Sequence, residues 1–87
     1  MRLRHILLKQ KFEAEDVMRL LKQGQDFGLL AKKWSTCSSA AVGGDLGDLS
    51  GKKLDPDFEE AAALLKPGQT SGIVRTKFGY HIIRREG

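Results

Sequence analysis

Two segments of helical periodicity stand back to back in this chain, with no strand between them. In Phe12–Gln23, the residues Ala14, Val17, Met18 and Leu21 recur at i, i+3, i+4 and i+7. Phe27, Leu30, Ala31 and Trp34 repeat that spacing immediately afterwards. Such spacing lays an apolar stripe along one face of a helix. Asp26 can cap the second helix with its side chain, Gly24 suits the end of the first, and Glu15 and Arg19 can pair at i, i+4 on the outer face. Consecutive helices break a regular βαβ alternation, so the reading favours an α+β layer over a parallel α/β sheet.

The rest of the chain supplies strands and one more helix. Leu3–Leu8 reads as a strand with Leu3, His5 and Leu7 on one face and Arg4, Ile6 and Leu8 on the other. Ser35–Gly44 is small and polar, a loop with room for one 3₁₀ or helical turn. Asp45–Leu49 alternates as a short strand, and Gly51 begins a turn. Asp55 can cap a helix that starts at Pro56, runs to about Leu65 and stops at Lys66-Pro67-Gly68-Gln69. Gly72–Arg75 and Tyr80–Arg84 are β-rich, and Thr76-Lys77-Phe78-Gly79 between them is short enough for a hairpin. The expected order is β-α-α-(turn)-β-α-β-β. With 87 residues, no repeat and no linker, one domain is expected.

Composition removes several function classes. Apolar runs such as Ala61–Leu65 are far shorter than the roughly 20 residues of a membrane span. No apolar segment of signal-peptide type follows Met1-Arg2, so the chain taken by itself is expected to be soluble and cytoplasmic. The one cysteine, Cys37, permits neither an internal disulfide nor a thiolate zinc site. His5 and His81 lie at opposite ends without metal-ligand spacing, so no metal is expected. Fifteen basic residues against eleven acidic give a net charge of +4, but the cations are interleaved with acids. That pattern reads as a solvated surface rather than a nucleic-acid footprint.

Few residues offer chemistry by themselves. A Cys37 thiolate could act as a nucleophile beside a base, although a small, partly buried cysteine is the plainer reading. A histidine inside an apolar strand is more often a hydrogen-bonded structural residue than a catalyst. Gly43-Gly44-Asp45-Leu46-Gly47 is glycine-rich, yet no helix follows to present a phosphate-binding N-terminus, so it reads as a tight turn into a strand.

Taken together, His5-Ile6-Leu7, Gly43-Gly44-Asp45-Leu46-Gly47 and Phe78-Gly79-Tyr80-His81-Ile82-Ile83 resemble the parvulin family of peptidyl-prolyl cis-trans isomerases. Asp26-Phe27, Leu30-Ala31, Pro56 and Phe58 extend the resemblance over essentially the whole chain. It implies a single PpiC-type rotamase domain over residues 1–87, with helices around a four-stranded antiparallel sheet. The implied activity is non-covalent rotation about X–Pro bonds in unfolded or flexible polypeptides, assisting folding, with no cofactor. Residue by residue, it implies a proline pocket of Leu54 and Phe58, with Leu46 beside it and Phe78 at the wall or rim. It implies a catalytic set of His5, His81, Thr76 and Cys37. The histidines would adjoin across neighbouring strands, Thr76 would hydrogen-bond into the pair, and Cys37 would act electrostatically rather than as a nucleophile.

Some features depart from the family's pattern. Leu54 stands where many relatives have methionine, a near-isosteric change. Asp55 and Asp57 flank Pro56 with unusual acidity, which points to basic residues around the substrate proline. Lys9-Gln10-Lys11 is too short for the basic loop of phosphate-directed parvulins, so phospho-Ser/Thr-Pro specificity is not expected. The expected partners are proline-containing peptides and unfolded proteins, bound by a monomer. If the chain is a domain of a longer secreted foldase, it is extracytoplasmic instead. The alternative reading is a weakly active chaperone module that grips extended segments. A nucleic-acid or ribosome adaptor is a further one, resting on charge alone.

Overall fold

The computed structural model describes residues 1–49 and 54–87, so the turn expected at Gly51 lies outside the described residues. Strand β1 (Arg2–Leu8) leads into helices α1 (Lys11–Lys22) and α2 (Phe27–Trp34). A 3₁₀ segment (Ser38–Val42), strand β2 (Asp45–Asp48) and helix α3 (Pro56–Ala63) follow. Strands β3 (Thr70–Thr76) and β4 (Gly79–Arg85) close the chain as a hairpin. The four strands form one antiparallel sheet in the order β2-β1-β4-β3.

Alternation along the two central strands explains why the sheet is covered on both sides. Ile6, Leu8 and Ile82 pack on one face against Ala14 and Val17 of α1 and Phe27, Leu30 and Ala31 of α2. Leu3 and Ile83 point to the other face, where Phe58 and Ala62 of α3 meet them together with Leu65. Leu3, Ile6, Leu8, Val17, Ile82 and Ile83 are fully buried. Each contributes roughly 1.5–3 kcal/mol of apolar transfer. These residues keep the two histidine-bearing strands in fixed register.

The helix ends follow the capping rules. The Asp26 carboxylate accepts the Leu29 N–H at 3.0 Å, and the Asp55 carboxylate accepts those of Asp57 (3.0 Å) and Phe58 (3.4 Å). On α1, the expected Glu15–Arg19 pair is replaced by an Arg19–Asp16 ion pair at 2.8 Å, because the guanidinium reaches back one turn to the nearer acid. Helix α3 ends at Ala63, two residues short of the expected limit; Leu65 turns inward to the core while Leu64 is exposed. β3 starts at Thr70, earlier than expected, with an irregular register between Thr70 and Ile73. There the Ser71 hydroxyl accepts the Ile83 N–H at 2.9 Å.

Two glycines are fixed by close approach. Gly44 has φ 83°, its carbonyl accepts the His5 N–H at 2.9 Å, and a Cβ there would collide with the His5 carbonyl oxygen. Gly79 has φ 135°, and a Cβ would lie 2.5 Å from the Leu8 carbonyl oxygen. Only glycine meets both demands. Both contacts hold the central strands against their neighbours beside the site.

Candidate functional site

β1 and β4 pair so that Leu7 faces His81 and His5 faces Ile83. His5 and His81 are therefore diagonal neighbours on one face, within reach of each other's side chains. Their Nδ1 atoms lie 3.0 Å apart, with the rings stacked at 5.2 Å between centroids and 22° between planes. On the far side of His81, Nε2 lies 2.7 Å from Thr76 Oγ1, which accepts the Phe78 N–H at 3.1 Å. The Phe58 ring meets both imidazoles edge-on, 5.7 Å from His5 and 5.2 Å from His81. The histidine pair thus forms a platform that fixes the angle of the Phe58 ring.

This platform is held neutral. Burial pushes His5 down to about 4, with the neighbouring His81 adding to the effect. Burial also lowers His81, and the negative charge of Asp55 partly opposes it. Two nitrogens 3.0 Å apart must share one proton, so one histidine donates to the other. His5 Nε2 is buried without a hydrogen-bond partner among the described residues.

Cys37 reaches the site through the segment after α2. The Ser35 hydroxyl accepts the Leu7 N–H at 3.0 Å and the Cys37 N–H at 3.3 Å, and Thr36 donates its N–H to the Leu7 carbonyl at 2.8 Å. The segment is laced to β1, which delivers the half-buried thiol beside Leu7. Burial pushes the thiol up, but hydrogen bonds from Ser39 and Ser38 outweigh this and hold it below its usual value.

These residues enclose a hollow of about 270 Å³ lined by His5, Leu7, Cys37, Leu46, Leu54, Asp55, Phe58, Phe78 and His81. Its surface is almost entirely apolar. Pockets for drug-sized ligands measure roughly 300–1,000 Å³, so this smaller hollow suits one ring or side chain, with the rest of a ligand outside. Seven of the eight residues singled out from sequence meet here; Thr76 is buried behind His81 and does not line the hollow. Leu7 joins the lining, as its place on the Leu3–His5 face allowed. Ser35 carried no sequence signal, because its role depends on a contact with β1 twenty-eight residues away. Among the described residues no cluster of three or more His, Cys, Asp or Glu side chains could hold a metal.

A sheet covered on both faces, with a dry hollow against paired central-strand histidines, is the architecture of the parvulin-type isomerases. Residues 5–87 match the family described as "Rotamase: PPIC-type PPIASE domain", and the chain belongs to that family of peptidyl-prolyl cis-trans isomerase domains. It is 48% identical over 82 residues to the foldase protein PrsA of Bacillus subtilis, covering 93% of this chain and 28% of that protein. A crystal structure of PrsA from Bacillus subtilis superposes with a TM-score of 0.94 at 45% identity, over 100% of this chain and 34% of that one. The solution structure of NmPin, the parvulin of Nitrosopumilus maritimus, matches at TM-score 0.87 and 41% identity, over 100% of this chain and 95% of that one. The chain thus spans less than a third of the curated foldases it matches first.

Proposed function

We propose that residues 1–87 work as one rotamase domain that speeds rotation about X–Pro bonds in flexible or unfolded polypeptides. The observation that carries this reading is the apolar hollow of about 270 Å³ in which Phe58 is held edge-on to the His5–His81 pair.

Rotation about a peptide bond costs about 18–20 kcal/mol because the C–N bond has partial double-bond character. Uncatalysed X–Pro exchange takes tens to hundreds of seconds. In the twisted transition state the resonance is lost, the carbonyl oxygen sheds negative charge and the prolyl nitrogen regains its lone pair. The planar imide is the more polar form, so dry walls of Leu46, Leu54 and Phe58 disfavour it relative to the twisted one. Those three side chains hold the ring while the chain beyond it turns. Phe78 closes the rim. Each tenfold acceleration requires about 1.4 kcal/mol of such preference.

The polar residues serve the hollow rather than break a bond. Thr76 fixes His81, His81 fixes His5, and the pair orients Phe58. Cys37 presents a polarisable sulfur to the turning carbonyl. No covalent intermediate is needed, since both isomers contain the same bonds. The two-residue link between β1 and α1, Lys9-Gln10, leaves no room for a basic phosphate-binding loop, which supports action on unphosphorylated sequences.

The domain acts as a monomer on proline-containing segments of unfolded chains. The similarity to the foldase PrsA and the chaperone SurA supports the extracytoplasmic option over the cytoplasmic one. The test is NMR exchange spectroscopy on a short Ala-Pro peptide. The domain should raise the exchange rate, and Phe58→Ala should remove the effect while the amide spectrum stays dispersed. Undiminished exchange with folded Phe58→Ala would overturn the reading.

A further inference from the structure

We propose that Asp55 gives this site a preference for a basic side chain next to the substrate proline. The inference rests on the isomerase reading above and names its substrate class more narrowly.

Asp55 has two placements at once. As the residue before α3 it accepts two backbone N–H groups through Oδ1, which fixes its side chain. It also lines the hollow beside Leu54 and Phe58. Because the hollow's surface is almost wholly apolar, the carboxylate of the half-buried Asp55 lies off its wall, turned to the α3 N-terminus at the hollow's edge. A proline ring seated on Phe58 would leave its chain neighbours passing that edge. Among the described residues Asp55 is the one carboxylate in the lining, no Lys or Arg lines it, and both histidines there are held neutral. Among the described residues no cation stands within ion-pair distance of Asp55. The nearest carboxylate along the chain, Asp57, is exposed and outside the hollow.

Two other charges act against the proposed preference, which makes its sign informative. Lys77 lies 5.2 Å from the centre of the Phe78 ring at the rim. The whole chain carries +4, so long-range attraction favours acidic peptides. A preference for cations therefore has to come from local groups at the hollow rather than from the chain's overall charge.

The test uses the chain as it stands and two peptide series, X-Pro-Ala and Ala-Pro-X, with X as Arg, Ala or Glu. NMR exchange avoids a coupling protease with charge preferences of its own. In one of the two series, Arg should exceed Glu in kcat/KM by about three- to tenfold at low salt. The ratio should shrink toward 1 M salt as the charges are screened. Asp55→Asn should bring it within about twofold of unity, and because Asn caps helices as well as Asp does, α3 and Phe58 stay in place. Asp57→Asn should leave the ratio as it was. Equal Arg and Glu rates in both series, a Glu preference, or an Arg preference that survives Asp55→Asn would each overturn the proposal. Turnover of the Ala peptides with a flat ratio removes this inference alone, whereas no turnover of any peptide removes the isomerase reading with it.

Discussion

Lowering the pH from 6.5 toward 4 should destabilise this domain. His5 is the cause. Its pKa falls to about 4 in the folded protein, through burial first and the closeness of His81 second, since the two rings cannot readily both be protonated, while an exposed histidine titrates near 6.5. Above pH 6.5 both states are neutral and the full stability is present. Below it the unfolded chain takes up a proton that the folded one refuses, so stability drops by about 1.4 kcal/mol per pH unit. Across the window the loss reaches about 3 kcal/mol, and His81, shifted the same way, adds to it. An 87-residue domain has roughly 4–13 kcal/mol in all, so the fraction is large. Asp45 does not confuse the measurement. Its carboxyl is held below the usual value by the hydrogen bond from Arg2, so its contribution is lost only as pH falls below the ordinary carboxylate range. Urea unfolding followed by the fluorescence of Trp34, at pH 7, 6, 5 and 4.5, should show the midpoint falling steadily. In His5→Asn the slope should drop to what His81 supplies. A flat midpoint between pH 7 and 4.5, or equal slopes in the two proteins, would refute a buried neutral histidine pair.

Cys37→Ser should keep at least about a tenth of kcat/KM in the peptide exchange assay, whereas loss of a nucleophile costs far more. Iodoacetamide should nevertheless inhibit the unmodified protein, because the added group fills the hollow. Thr76→Val should cost about 1–3 kcal/mol in urea unfolding, since the Phe78 N–H loses its acceptor and His81 Nε2 its partner. Gly44→Ala should lower stability by more than the roughly 1 kcal/mol of a left-handed alanine, because its Cβ meets the His5 carbonyl. Thermal unfolding reads that loss.

Periodicity for α1 and α2, the Asp55-Pro56 start of α3 and the β-rich runs of the hairpin were together enough for the element order, since each run has an apolar face and the sheet offers two sides to cover. Boundaries were less legible where a single tertiary hydrogen bond decides them. β3 extends to Thr70, beyond the limit its own residues suggested, and Ser71 beside its irregular register is tied to Ile83. Arg19 chose Asp16 over Glu15 by local reach, which spacing rules do not rank. At the site, alternation placed His5 and Leu7 on one face without help. That His81 stands diagonal to His5 depends on the β1–β4 register, which no local pattern encodes. For the same reason Cys37 and Phe58 could be gathered from sequence only through resemblance. The tether through Ser35 and the position of Thr76 behind the lining follow from packing.

A substrate's proline ring should sit on Phe58, between Leu46 and Leu54. Intermolecular NOEs between a bound Ala-Pro peptide and the methyl- and aromatic-labelled domain address it directly. The proline Hγ and Hδ protons should show cross-peaks to the Phe58 ring and to the methyls of Leu54 and Leu46. Cross-peaks confined to the polar groove around Arg4, Asp26 and Gly28, on the opposite face of the sheet, would contradict it.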